Sequence, residues 1–177
     1  TVQVDISIDS EMYRYYRGLG RYYGADEYQN YVNDANNKKI AAELVSAIRS
    51  ASNSGAQSDA AVVREIAKFV QDTYQYDLDT TGEDEYPRYP IETLYERQGD
   101  CEDTSILMAA LLKESGYEVG FLHLPGHLAV VLRTADDYTG GAYYEIDGHR
   151  YLYIESTASG WNIGDIPEDV MNQPATF

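Results

Sequence analysis

The sequence predicts an α+β domain, with helices first and an antiparallel sheet after them, and three observations carry that reading. Apolar residues recur at three- and four-residue steps as far as about residue 115. Beyond Glu118 they fall into short alternating runs separated by turn residues. Between the two regimes lies Ile106-Leu107-Met108-Ala109-Ala110-Leu111-Leu112, apolar on nearly every side, as a helix in a core would be.

In chain order, Val2, Val4, Ile6 and Ile8 alternate and predict a short strand or an extended arm. Met12, Tyr15, Tyr16, Leu19, Tyr22 and Tyr23 follow with helical spacing, and Gly18 and Gly20 predict a bend or break within it. This tyrosine-rich segment is expected to pack onto the core, because large exposed aromatic patches are uncommon. A second helix is expected from about Asn37 to Ser50, with Ile40, Leu44, Val45 and Ile48 on its apolar side. After a turn at Ser52-Asn53-Ser54-Gly55, Ser58 or Asp59 can cap a third helix bearing Val62, Val63, Ile66, Phe69, Val70 and Tyr74. Asp77 to Pro90 reads as a long acidic loop of the kind that often lines a site, with Asp77 to Glu85 solvated rather than selective for a basic substrate.

The next helix is expected from about Asp100 to Ser115, with Gly116 suited to its left-handed C-terminal cap. Strands are expected over Glu118–Leu124, His127–Thr134, Ala142–Ile146 and Tyr151–Ser156, the last two joined by a tight turn at Asp147-Gly148. The chain divides into a helical N-terminal extension, residues 1–55, and a core, residues 56–177.

Thirteen basic residues against thirty acidic ones give a formal charge of −17, which repels nucleic acid and anionic membranes. No run of about 20 apolar residues could span a bilayer. The opening Thr1-Val2-Gln3-Val4 has neither an initiating methionine nor a basic leader, as in a mature or trimmed chain. One cysteine excludes an internal disulfide framework.

That cysteine, Cys101, falls at a helix start, where the peptide dipoles favour thiolate over thiol. Asp100, Glu102 and Asp103 around it oppose thiolate formation, although acids also belong in a first helical turn for capping. His127 opens a strand in which Ala129 and Val131 share its face, leaving room for a helix end to approach. His123 is its competitor, while a zinc site from Cys101, His123 and His127 matches no standard spacing. Glu155 ends the last strand and could orient His127, completing a nucleophile, base and carboxylate set.

Four segments in order resemble the transglutaminase-like superfamily: Tyr86-Pro-Arg-Tyr-Pro-Ile-Glu-Thr-Leu, Gly99-Asp-Cys-Glu-Asp-Thr, Leu124-Pro-Gly-His-Leu-Ala-Val, and Tyr153-Ile-Glu-Ser-Thr-Ala-Ser-Gly-Trp-Asn-Ile-Gly-Asp-Ile-Pro. The resemblance implies a papain-like core with a Cys-bearing helix packed on an antiparallel sheet. It carries the catalytic roles onto Cys101, His127 and Glu155, choosing His127 over His123. Glu155 stands where many relatives have aspartate. The Asp-Cys-Glu-Asp string is also similar to calcium-dependent bacterial cysteine proteases of this type. That implies Asp100, Glu102 and Asp103 as calcium ligands, although the thiol chemistry itself requires no cofactor.

The expected function is cysteine-dependent acyl transfer, hydrolysing a peptide or isopeptide bond in a protein or peptide substrate through a thioester. Gln98 is a candidate oxyanion donor and Trp161 a candidate roof over the site. The rival expectation is a catalytically silent protein- or glycan-binding module using the tyrosine-rich N-terminal face. The composition and the usual company of such domains favour an exported or cell-surface setting.

Overall fold

The computed structural model describes residues 3–52, 59–77, 85–137 and 139–177. Of the sequence expectations, the turn after Ser52, the cap at Ser58 and residues 78–84 of the acidic loop fall outside these residues, as do Thr1 and Val2.

Residues 3–9 form an extended arm rather than a strand, with Val4 and Ile8 packed against the core. The first helix, α1 (Ser10–Arg17), is capped by Asp9, whose side chain accepts from the Glu11 N–H at 2.8 Å. It stops at Gly18, so the predicted bend is a full break. A 3₁₀ turn over Ala25–Glu27 leads into α2 (Gln29–Asn33) and α3 (Ala35–Ala51). Asp34 separates those two helices and caps α3 through the Asn36 and Asn37 N–H groups, both at 3.1 Å. The chain continues through α4 (Asp59–Thr73), β1 (Gln75–Tyr76), α5 (Pro90–Glu96), β2 (Gln98–Gly99) and α6 (Cys101–Glu114). The last four strands are β3 (Val119–Leu124), β4 (His127–Arg133), β5 (Tyr143–Ile146) and β6 (His149–Ile154).

Helix α5 was not anticipated, because its short pattern follows the loop so closely. Pro90 at its first position and the Glu92 carboxylate reaching back to the Tyr89 N–H at 2.9 Å start it. Gly116 takes φ +95° just beyond α6, as its place there predicts. Asp147 and Gly148 take φ +50° and +79°, which suits the tight turn between β5 and β6.

The four-stranded sheet is antiparallel with order β3-β4-β6-β5, while β1 and β2 form a separate two-residue parallel pair. Helix α6 packs on β4 and β3 and is flanked by α2, α3, α4 and α5. Leu128, Val130 and Leu132 of β4 join the helical core, whereas Ala129 and Val131 join Leu122, Tyr151, Tyr153 and Val170 on the opposite face. The small residues beside His127 therefore accommodate the C-terminal segment rather than the nucleophile helix.

One buried cluster takes residues from both sides of position 55. Tyr16 and Tyr31 are wholly buried and meet Tyr89 with ring centroids 4.9 and 4.5 Å apart. Tyr28 lies on Phe121 and His123. Burying a large apolar side chain contributes roughly 1.5–3 kcal/mol, so these rings fasten the N-terminal segment to the core. Tyr15 and Tyr23 remain exposed, at 60% and 52%.

Candidate active site

The site begins at Gly99. A Cβ there would lie 2.5 Å from the Asp103 Cβ, so only glycine admits the aspartate so close to the chain. Asp100 and Asp103 cap α6 reciprocally. The Asp100 Oδ1 accepts from the Glu102 and Asp103 N–H groups at 3.1 and 3.3 Å, and the Asp103 Oδ2 accepts from the Asp100 N–H at 3.3 Å. Asp103 is then closed off by Arg88, whose backbone N–H donates to Oδ1 at 2.6 Å and whose guanidinium pairs with Oδ2. Arg88 also meets Glu96 at 2.9 Å.

Three hydroxyls tie this helix start to the sheet. Ser105 Oγ donates to the Leu128 carbonyl at 3.1 Å, and Ser156 Oγ lies 2.9 Å from Thr104 Oγ1 and 3.0 Å from Ser105 Oγ. Leu128 also turns its backbone N–H to the Cys101 sulfur. Thr104 and Ser105, one turn beyond the nucleophile, thus bond to Leu128 and Ser156, the neighbours of His127 and Glu155.

Cys101 is 7% exposed and donates its S–H to Glu102 Oε2 at 2.9 Å. Burial raises the thiol's pKa, and the charge and hydrogen bond of Glu102 raise it further, against the smaller opposite effect of the Leu128 N–H. The helix dipole that the sequence predicts to favour thiolate is outweighed here. Burial and the charge of Glu102 likewise push the Asp100 carboxyl up to about 7. Glu102→Gln removes the adjacent charge and is expected to raise the iodoacetamide alkylation rate of Cys101 at pH 8 by about tenfold or more. An unchanged rate would show that Glu102 does not restrain the thiol.

His127 turns Nε2 to Glu155 Oε2 at 3.0 Å. Glu155 is 1% exposed and accepts further bonds from Tyr153 O–H (2.7 Å), Ser156 N–H (2.9 Å), Thr157 N–H (3.0 Å) and Thr157 O–H (2.7 Å). Burial alone would raise its pKa, but His127, Tyr153 and Thr157 together bring it down to about 2. Burial disfavours imidazolium at His127, yet the hydrogen bond and charge of Glu155 prevail and its pKa is raised. Gln71 on α4 holds the Glu155 carbonyl at 2.8 Å.

Cys101 and His127 line one cleft of about 500 Å³, together with Asp100, Glu102, Tyr76 and Tyr86 among others. The histidine–glutamate pair is joined, while the thiol is held by Glu102. The other predicted site residues lie elsewhere. Gln98 donates its side-chain amide to Asp77 at 3.0 Å and does not line the cleft. Trp161 lines a separate cavity of about 400 Å³ against Arg64, Lys68 and Gln71 of α4, so it does not roof Cys101. Asp100 and Glu102 meet at the cleft, but Asp103 does not join them in an oxygen face, because Arg88 occupies both of its oxygens. Among the described residues no group of three or more His, Cys, Asp or Glu converges as metal ligands, and this arrangement does not fit the implied calcium set.

Sequence reasoning missed Arg88, Tyr153 and the Thr104-Ser105-Ser156 hydroxyls. Tyr153 had a legible signal, since residues two apart on a strand share a face with Glu155 close behind. Arg88 had none, because arginine is rarely expected at 2% side-chain exposure.

The model of the transglutaminase-like superfamily core matches residues 42–141, which is more than half of the chain and includes both Cys101 and His127. The chain belongs to the transglutaminase-like superfamily. A solved structure from Cytophaga hutchinsonii, assigned provisionally as a cysteine protease, is similar over 85% of this chain at 16% identity, with a TM-score of 0.44. The chain spans 43% of that protein's length. No curated protein matches the sequence. Among the described residues, no helix is long and apolar enough to cross a membrane.

Proposed function

We propose that this domain is a cysteine-dependent acyl-transfer enzyme that hydrolyses a peptide or isopeptide bond in a protein substrate. The observation that carries the reading is the pairing of a half-buried His127 with the buried Glu155 at the cleft that also holds Cys101. With Nε2 committed to Glu155, the other imidazole nitrogen, Nδ1, is the one available to a thiol.

In the reaction, the Cys101 S–H leaves Glu102 by rotation of its side chain and gives its proton to His127. The sulfur attacks the amide carbonyl, and the charge that develops on oxygen meets the Cys101 backbone N–H, which has no partner within the helix. His127 returns the proton to the departing amine as the C–N bond breaks, leaving a thioester. Water, deprotonated by His127, then attacks the thioester, and the acid and the free thiol are released. Glu155 keeps the imidazole oriented and supports its charged form.

The thiol's hold on Glu102 is the one observation favouring the rival reading, a catalytically silent binding module. Incubating the protein with a proteome-derived peptide library separates the two. New peptide termini, or incorporation of an added amine, are expected with the wild type and absent with Cys101→Ala. Intact peptides in both samples would sink the enzymatic reading.

A further inference from the structure

The geometry points to Tyr153 as a positioning residue for His127: its hydroxyl shares Glu155 Oε2 with the imidazole, fixes the ring proton on Nε2 and limits how tightly the carboxylate holds it. This inference rests on His127 serving as the base and acid for Cys101.

Tyr153 lies on β6, wholly buried and two residues before Glu155, so both side chains leave the strand on one face. Its hydroxyl donates to Glu155 Oε2 at 2.7 Å, and His127 Nε2 reaches the same oxygen at 3.0 Å. The phenol oxygen is also 3.2 Å from Nε2. A phenol has one hydrogen, and the short contact to the carboxylate takes it, so only lone pairs face the ring. Nε2 therefore meets two acceptors and must carry the proton, which leaves Nδ1 bare toward the cleft.

The carboxylate's other oxygen, Oε1, is already engaged by Ser156 N–H, Thr157 N–H and Thr157 O–H. Oε2 is thus divided between imidazole and phenol. The phenol contact is shorter and charge-assisted, so it draws off acceptor strength that His127 would otherwise receive. The 3.2 Å contact is long for an N–H···O bond and returns little to the ring. The net effect is a less tightly held imidazolium. That suits a group that must surrender its proton to a departing amine, since an imidazolium fixed too firmly is a poor acid.

Other charged and titratable groups face His127 as well. Asp169 of the C-terminal segment and Glu102 of α6 favour its charged form. Cys101, Asp100 and His123 line the same cleft. Tyr153→Phe leaves all of these in place and removes a single hydroxyl.

The test is an NMR titration of the His127 imidazole in the Cys101→Ala protein, which makes the result independent of turnover. Adding Tyr153→Phe is expected to move the His127 titration upward by about half a pH unit or more. Placing 3-fluorotyrosine at position 153, a stronger donor, is expected to move it downward. A purely structural role predicts no fall with 3-fluorotyrosine, which keeps the hydroxyl and its packing and changes only its strength as a donor. No shift or a fall in Tyr153→Phe overturns the inference. An unchanged or raised value with 3-fluorotyrosine overturns it as well, whether or not Tyr153→Phe folds. Failure to cleave peptides bears on the proposed reaction alone and leaves this titration to be read on its own terms.

Discussion

Arg88→Met is expected to destabilise the protein by about 3–5 kcal/mol, because it leaves the Asp103 carboxylate buried without its counter-charge. Arg88 is 2% and Asp103 0% exposed in their side chains, so water cannot replace the lost guanidinium without opening the core. Glu96, the second partner of Arg88, is 15% exposed and can turn outward at smaller cost. The effect reaches further than one pair. Arg21 bonds Glu92 at 2.8 Å, and Tyr13 donates to Glu96 at 2.6 Å, so the N-terminal segment is fastened to α5, and Arg88 connects α5 to the start of α6. Urea denaturation of wild type and variant checks the magnitude. A loss below about 1 kcal/mol would mean that the ion pair does not hold the nucleophile's helix in place. Adding Asp103→Leu should restore part of the loss by removing the stranded charge, and only part, because Asp103 also accepts the Asp100 N–H.

His127→Ala is expected to lower kcat/KM on the best-cleaved library peptide by about 10³–10⁴-fold, the scale seen when a member of a nucleophile–base–carboxylate set is removed. Folding should survive far better than activity. Glu155 loses the imidazole but keeps four other hydrogen bonds, from Tyr153, Ser156 and Thr157, so its charge remains satisfied. Thermal unfolding measured beside the kinetics separates the two effects. A drop in activity of less than tenfold, in a protein that still melts normally, would remove His127 from the chemistry. Glu155→Gln is expected to be comparably damaging, because its amide oxygen is drawn to the Ser156 and Thr157 donors, which turns the NH2 toward Nε2 and favours the wrong imidazole tautomer.

Much of the architecture was legible because its causes are local. The uniformly apolar run Ile106–Leu112 could only be a core helix, and Gly116 and Asp147-Gly148 occur where left-handed backbone is required. The break at Gly18 exceeded expectation, and α5 escaped it, since short helices are set by capping contacts as much as by periodicity. Alternation along β4 assigned the correct residues to two faces, yet it could not say which face α6 would cover.

By itself the sequence determined the kinds of groups available and their places on elements: a thiol at a helix start, an imidazole opening a strand, a carboxylate ending another. Tertiary structure decided their partners. Glu102 took the thiol, Arg88 took Asp103, Asp77 took Gln98, and α4 took Trp161, while Tyr153 joined the His127–Glu155 pair. The reason is physical. Backbone propensity and burial pattern are properties of neighbours along the chain, whereas a polar side chain bonds whichever donor or acceptor packing brings within about 3 Å.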